Sequence, residues 1–458
     1  MLNNLTQIHF VGIGGAGMSA IAKVLLEKGY GVSGSDLNKS ETTDKLEAMG
    51  ASIFIGHTSE NIRDSEAIVV STAIRQDNPE IISARNRGIP VFHRSDVLAE
   101  LMNASTGIAV AGAHGKTTTT SMVAIMLEHA GVDPTILIGG ELDYLGGNAK
   151  LGKGKFLVAE ADESDGSFLK FAPAIAIVTN IENDHMDFYG TMENILHTFN
   201  QFLMKLSATD GLAVLCFDNA YIREIATGLE RPYISYAIDH PAEYTAKNIS
   251  TQGALTVFDV YRREILLGTI RLNIPGRHNI ANALAAIVVG KTIGLSFMQI
   301  AEGLSLFNGA KRRFQTKARA NGVWIVDDYA HHPTEIATTL QAARQTQPKR
   351  LICVFQPHRY SRTKLLRREF GGAFAAADVL ILTDVYSAGE SPLPGISGET
   401  IKEEVERQTD TKVIYIQDKN KIARYLSEVV EPGDLVMTMG AGNIYLAGEE
   451  LAEFLIKE

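Results

Sequence analysis

The stretch GIAVAGAHGKTT, residues 107–118, is a short apolar run, then a glycine loop, then the first residues of a helical pattern. In a phosphate-binding loop, backbone N–H groups cradle phosphates, a lysine reaches the β and γ oxygens, and a hydroxyl binds Mg²⁺. Lys116 and Thr117 stand in those two roles. The strict pattern wants its first glycine five positions before Gly115, where Val110 sits, so Gly112 must serve and the loop is a short variant. Because Lys116 reads as a phosphate contact, its removal is expected to delete charge and not packing.

Acidic residues at neighbouring strand ends should complete a metal site beside such a loop. The cluster Glu160-Ala-Asp162-Glu163-Ser-Asp165 follows the apolar run FLVA, and IVTN runs into Ile181-Glu182-Asn183-Asp184-His185-Met186-Asp187. A histidine and carboxylates placed this way can ligate a second divalent ion, although either cluster alone also fits a solvated loop.

Upstream, Gly12-Ile-Gly14-Gly-Ala-Gly17 lies between a strand and a helix, with Asp36 closing the next strand at the spacing of a ribose-binding acid. Glycines there let the backbone approach a phosphate pair at a helix N-terminus. Alone this is a dehydrogenase fingerprint. A dehydrogenase has no need of a Lys–Thr clamp for a triphosphate, so two glycine loops in one chain point to an ATP enzyme with a second nucleotide-type ligand.

Downstream, Arg312-Arg313-Phe314 precedes a strand ending Asp327-Asp328-Tyr329-Ala330-His331-His332-Pro333, and Gln356-Pro357-His358-Arg359-Tyr360-Ser361-Arg362 follows another strand. Arginines so placed suit a phosphate or a carboxylate; surface basic residues are the plain alternative. Apolar runs alternate with helical patterns almost throughout: strands near 8–13, 52–55, 67–70, 156–159 and 174–178, a helix near 279–293, and VWIVDDY, RLICVF, DVLILTD and DLVMTMG further on. The 458 residues make roughly three domains of about 150 residues, with boundaries expected near 103 and 310. Thus 1–103, 104–310 and 311–458 read as the domains of an α/β protein: Rossmann-like, then a P-loop ATPase-like parallel sheet, then Rossmann-like again.

The net charge of −10 disfavours nonspecific nucleic-acid binding, and anionic substrates must be met by local positive groups. Two distant cysteines, Cys216 and Cys353, fit a reducing cytoplasm, not a disulfide framework or zinc site. No apolar run reaches the ~18 residues needed to span a bilayer, so no membrane insertion is expected.

Taken together, HFVGIGGAGMS, AGAHGKTTTT, AEADESD, TNIENDHMD, GRHNIANALAA, KRRFQ, DDYAHHPTE and FQPHRYSRT occur in an order that resembles the Mur ligase family, in its alanine-adding branch. The resemblance implies ATP-dependent joining of L-alanine to the lactate carboxylate of UDP-N-acetylmuramate through an acyl phosphate, in peptidoglycan precursor synthesis for the cell wall. It implies that Gly14, Gly15, Gly17, Ser19 and Asp36 hold the UDP-sugar. It assigns ATP to Gly112, Ala113, His114, Gly115, Lys116, Thr117 and Thr118, together with Asn279, Asn282, Arg313 and Asp328. Mg²⁺, with Mn²⁺ as an alternative ion, falls to Thr117, Glu160 and His185. L-alanine falls to Tyr329, His331, His358, Arg359 and Arg362, and His331 or His358 becomes the candidate base. Several relatives carry a carbamoylated lysine after the metal-binding histidine; residues 191–202 contain none, which agrees with the alanine-adding branch. A peptide-recycling ligase of the same family, an NAD-dependent dehydrogenase and a non-catalytic nucleotide-binding regulator stand as alternatives.

Overall fold

The computed structural model describes Leu2 and residues 5–457. Its chain divides into two compact units, Met1–Lys247 with Asp259–Ile270 and Ala281–Phe307, and Asn248–Phe258 with Arg271–Ile280 and Asn308–Glu458.

The first unit opens with β1 (Gln7–Val11), β2 (Gly31–Asp36), β3 (Ser52–Ile55), β4 (Ala67–Val70) and β5 (Val91–His93). They form a sheet of order β3-β2-β1-β4-β5, parallel at every pairing. Four of the five β1 residues are buried, as a strand covered on both faces demands. The strand order reverses between β1 and β4, so the Gly12–Gly17 loop leaves β1 at a topological switch point, where open α/β sheets bind ligands.

The same unit continues through β6 (Thr106–Ala111), β7 (Thr135–Leu142), β8 (Gly147–Lys150), β9 (Phe156–Glu160), β10 (Ile175–Val178), β11 (Leu212–Cys216) and β12 (Tyr233–Ala237). Their order is β12-β11-β10-β6-β9-β7-β8, extended beyond β12 by β13 (Tyr244–Gln252), β14 (Leu255–Arg262) and β15 (Ile265–Leu272). Strand β6 lies between β9 and β10 and is parallel to both. The loops after Ala111, Glu160 and Val178 therefore leave the same sheet edge side by side. The helix Lys116–His129 is buried along Thr118–Leu127, which explains its lack of a polar face. Helix Phe297–Ser305 packs on it closely enough that a Cβ on Gly303 would stand 2.8 Å from Met126 Cα.

The second unit carries β16 (Gln315–Ala320), β17 (Val323–Asp328), β18 (Arg350–Phe355), β19 (Val379–Leu382), β20 (Lys412–Tyr415) and β21 (Asp434–Met439), ordered β16-β17-β21-β18-β19-β20. Only the β16–β17 pairing is antiparallel. Along β18, Leu351, Cys353 and Phe355 join one apolar cluster and Ile352 and Val354 the other, so both faces are covered.

The expected strands and helices are present with ends shifted by a few residues. The β-like run before residue 275 is two strands, broken at Arg263 with φ 56°. Both cysteines are free and buried. Among the described residues no helix is long and apolar enough to cross a membrane.

Candidate active site

The phosphate-type loop is shaped by two glycines in conformations that side chains rarely adopt. Gly112 has φ 132° and Gly115 φ 83°. A Cβ on Gly112 would stand 2.2 Å from Thr179 Oγ1, and one on Gly115 2.7 Å from Asn282 Oδ1. The residues after β10 pin the loop from the side: His114 N donates to Asn180 Oδ1 at 2.8 Å, and Thr179 Oγ1 donates to the His114 carbonyl at 2.6 Å. Gly115 caps the helix with no side-chain hydrogen bond, leaving first-turn N–H groups for an anion.

Lys116 Nζ donates to the carbonyls of Gly112 (2.6 Å) and Ala113 (3.2 Å) and to Glu163 Oε1 (2.7 Å). Burial works against its ammonium, but Glu163, with Asp162 and Glu160 behind it, outweighs that and lifts its pKa. Lys116 is thus a charged member of a buried pair, not only a free phosphate contact as the motif reading has it. Thr117 Oγ1 donates to Glu160 Oε2 (3.2 Å), and Gly139 N donates to Glu160 Oε1 (2.6 Å). Glu163 Oε2 is buried without a partner. His185, in the left-handed conformation at φ 55°, brings Nε2 to 3.9 Å from Glu163 Oε1 and 3.5 Å from Asp184 Oδ2.

In the glycine loop after β1, Gly12 N and Ile13 N both donate to the Ser35 carbonyl, and Gly14 N donates to Asp36 Oδ2 at 2.9 Å. Asp36 therefore fixes the loop itself, besides lying where a ribose-binding acid would. Gly15 precedes the helix without a side-chain cap, and a Cβ on Gly17 would stand 3.1 Å from Arg94 Nη1. Arg94 pairs with Asp162 of the acidic cluster. Asn148, on β8, donates to the Ala16 carbonyl (2.7 Å) and to Ser19 Oγ (3.0 Å). Asn148 thereby ties β8 to the helix that follows the first glycine loop.

In the second unit Asp328 is buried and accepts from Phe314 N (2.7 Å) and Ala330 N (2.8 Å). Burial raises its pKa to about 6 against the lowering effect of Arg313. Arg313 lies 3.7 Å from Glu335 and over the Tyr329 ring. The rings of Tyr329, His331, His358 and Tyr386 follow one another at centroid distances of 5.4, 5.7 and 5.7 Å, the last pair stacked at 11°. His331 Nδ1 is 3.0 Å from the Tyr329 carbonyl, to which only a protonated Nδ1 can donate, leaving Nε2 with its lone pair. Arg362 Nη1 is 3.2 Å from His358 Nδ1, which accepts. Burial, with Arg362 adding its charge, pushes both imidazoles down to about 4, so both are neutral at pH 7. Arg359 holds φ 69° with its N–H on the Tyr386 carbonyl at 2.9 Å. Asn279, on the helix that carries Asn282 further along, donates to the Pro275 carbonyl at 2.7 Å.

Against known proteins, residues 7–106 match the model described as Mur ligase family, catalytic domain, 110–290 the Mur ligase middle domain, and 312–442 the Mur ligase, glutamate ligase domain. The chain belongs to the Mur ligase family. It is 53% identical over 450 residues, 98% of this chain and 97% of the other, to the UDP-N-acetylmuramate–L-alanine ligase of Pelotomaculum thermopropionicum. The crystal structure of the UDP-N-acetylmuramate–alanine ligase from Thermotoga maritima superposes with a TM-score of 0.84 at 30% identity, covering 98% of each chain. The murein peptide ligase of Psychrobacter arcticus superposes with a TM-score of 0.73 at 26% identity, again over 98% of each. The three-domain α/β architecture expected from the sequence is that of this Mur ligase fold.

Of the residues singled out in the sequence, Gly14, Asp36, Gly112, Gly115, Lys116, Thr117, Glu160, His185 and Asn282 lie in the first unit. Asn279, Arg313, Asp328, Tyr329, His331, His358, Arg359 and Arg362 lie in the second. Sequence reasoning passed over Glu163 as the partner of Lys116, and Arg94, Asn148 and Tyr386 altogether. Arg94 had a weak signal, an arginine directly after a strand; Asn148 and Tyr386 sit in stretches with no motif.

Proposed function

We propose that this Mur ligase joins L-alanine to the lactate carboxylate of UDP-N-acetylmuramate, driven by ATP, in cytoplasmic peptidoglycan precursor synthesis. The observation that carries the reading is the 53% identity over nearly the whole of both chains to a ligase named for that reaction, against 26% to a peptide ligase. We assign residues 1–103 to the UDP-sugar, 104–310 to ATP and 311–458 to the amino acid. Gly14, Gly15, Gly17, Ser19 and Asp36 would take the nucleotide sugar.

In the first step the lactate carboxylate oxygen attacks the γ-phosphorus, and ADP leaves. Lys116, released from Glu163, and the first-turn amides of Lys116–His129 stabilise the charge that builds on the phosphoryl oxygens. By the family resemblance Asn279, Asn282, Arg313 and Asp328 would also serve ATP. A divalent metal fits the donors present: a hydroxyl 3.2 Å from a carboxylate at Thr117–Glu160, an unpartnered carboxylate oxygen on Glu163, and the His185 imidazole. Mg²⁺ or Mn²⁺ held by Thr117, Glu160 and His185 would supply further neutralisation of phosphate charge.

In the second step the alanine amine attacks the acyl carbon and phosphate leaves. Arg359 and Arg362 would hold the alanine carboxylate, with Tyr329, His331 and His358 around it. The Nε2 lone pair of neutral His331 would be the proton acceptor, a reading its Nδ1 contact to the Tyr329 carbonyl supports. A pKa near 4 makes it a weak base. Deprotonation must therefore lean on the nearby guanidiniums, which disfavour the ammonium.

The test is phosphate release from ATP and Mg²⁺ with UDP-N-acetylmuramate, run with and without L-alanine, other amino acids and a stem peptide. Release that needs both substrates and favours L-alanine is expected. Release with the peptide but not alanine moves the chain to the recycling reaction, and no release in any mixture refutes the ligase.

A further inference from the structure

Behind the glycine loop lies a polar cluster that the proposed chemistry does not use. Glu80, on the helix Pro79–Asn86, is fully buried. Its Oε2 accepts from Ser35 Oγ at 2.8 Å and lies 3.0 Å from His57 Nδ1. Its Oε1 accepts from Asn61 Nδ2 at 2.7 Å and lies 3.5 Å from Nε2 of buried His9, whose Nδ1 is 2.9 Å from Ser33 Oγ. A carboxylate taken fully out of water is retained only where polar partners compensate it, and an apolar residue would serve plain packing better.

The partners of Glu80 lead to the loop. Ser35, whose hydroxyl it holds, offers its carbonyl to Gly12 N (2.8 Å) and Ile13 N (3.0 Å). Asn61, held by the other oxygen, also donates to the Gly56 carbonyl (3.0 Å), and Gly56 N donates to the Asp36 carbonyl (2.8 Å). Asp36 in turn takes Gly14 N. Amides at three consecutive loop positions are thus located by residues that Glu80 grips, on β2 and on the segment after β3.

We propose that Glu80 is a positioning residue for the nucleotide-sugar site: through Ser35 and through Asn61, Gly56 and Asp36 it fixes the Gly12–Gly14 turn and so aims the uncapped first-turn amides after Gly15, which would meet the diphosphate. This rests on the reading of that loop as the UDP-sugar site. Glu80 touches no substrate itself. The carboxylate accepts in both branches at once; a glutamine has one acceptor oxygen, so it could keep both only by donating its amide to Ser35 Oγ, with that hydrogen bond reversed and the charge lost from both.

The experiment is Glu80→Gln in the full chain, titrated calorimetrically with UDP-N-acetylmuramate and separately with ATP and Mg²⁺, with hydrogen exchange over residues 12–15 of the free protein. Expected are faster exchange, a UDP-sugar Kd weakened about tenfold and an ATP Kd changed by less than about twofold, the loss of a charge-assisted hydrogen bond from one site only. Unchanged exchange, an unchanged UDP-sugar Kd, or equal weakening of both ligands overturns the proposal. Asn61→Ala cuts one branch and leaves the buried carboxylate paired. If Glu80→Gln does not fold, faster exchange and a selective loss of about threefold in Asn61→Ala is the supporting result, and wild-type behaviour there overturns it. If the wild type itself binds no UDP-sugar, the nucleotide-site reading fails, and exchange separates that failure from a failure of the contact chain.

Discussion

Replacing Lys116 by alanine tests the phosphate loop and the buried pair at once. The sequence reading expects lost activity with an intact fold, since a phosphate contact is deleted. The structure adds that Lys116 Nζ sits 2.7 Å from Glu163, whose side chain is 4% exposed. Without the ammonium, Glu163 escapes its uncompensated charge by binding a proton. At pH 7, about 2.5 units above the ordinary glutamate value of 4.5, that binding limits the loss to about 3.4 kcal/mol at 1.36 kcal/mol per unit. The ceiling agrees with the 3–5 kcal/mol typical of halving a buried pair. It also makes the loss depend on pH: at pH 5.5 the same protonation costs only about 1.4 kcal/mol. The assay is urea unfolding of wild type, Lys116→Ala, Glu163→Gln and the double variant at pH 5.5 and 7. Lys116→Ala should be about 3 kcal/mol less stable at pH 7, recover most of this at pH 5.5, and be rescued by Glu163→Gln at both. Turnover should fall at least a hundredfold in Lys116→Ala, with no rescue of activity in the double variant. A destabilisation equal at the two pH values, or a double variant no more stable than Lys116→Ala, refutes the buried-pair reasoning; near wild-type turnover refutes the phosphate contact.

Asp36→Ala should weaken UDP-N-acetylmuramate about tenfold by freeing Gly14 N, with ATP affinity unchanged; equal loss of both in a titration counts against separate sites. His278, His331 and His358 titrate near 4 in the folded second unit against an ordinary 6.5, so the unfolded chain takes up protons first and stability is lost as pH falls from 6.5 toward 4. Asp328, raised to about 6, acts in the opposite sense, holding a folded-state proton the unfolded chain has released. Three protons against one leave a net slope of roughly 2 kcal/mol per pH unit near pH 5, and a melting temperature that is flat between pH 4.5 and 6.5 sinks this account. His331→Ala should cut turnover about a hundredfold or more if His331 takes the amine proton; unchanged turnover and pH profile would remove it from that role.

Much of this was legible because the informative residues are contiguous. A run such as GIAVAGAHGKTT carries a strand, a tight turn and a helix start within one window, and buried parallel strands such as Ala67–Val70 and Arg350–Phe355 stand out as apolar runs. The hairpin of β7 and β8 and the edge strand β16 escaped because GNAK and QTKARA are partly exposed and polar, as edge positions permit. The same limit applies to the site. A motif names Lys116 but not its partner 47 residues away, and it reads Asp36 as a ribose contact while its carboxylate holds a loop amide.

The contacts that escaped share a physical origin. Lys116–Glu163, Arg94–Asp162, Asn148 on Ser19 and Glu80 on Ser35 each join residues far apart in the chain across neighbouring elements of the sheets. Two of them, at Glu163 and Glu80, also place a carboxylate where water is excluded, so their strength comes from geometry that only the fold supplies. Spacing along a sequence can report a helix face or a turn, but it carries no register between distant strands. A phosphate loop is therefore recognisable from a dozen residues, while the charge state of its lysine, and hence what its removal does to stability, depends on a carboxylate that no local pattern connects to it.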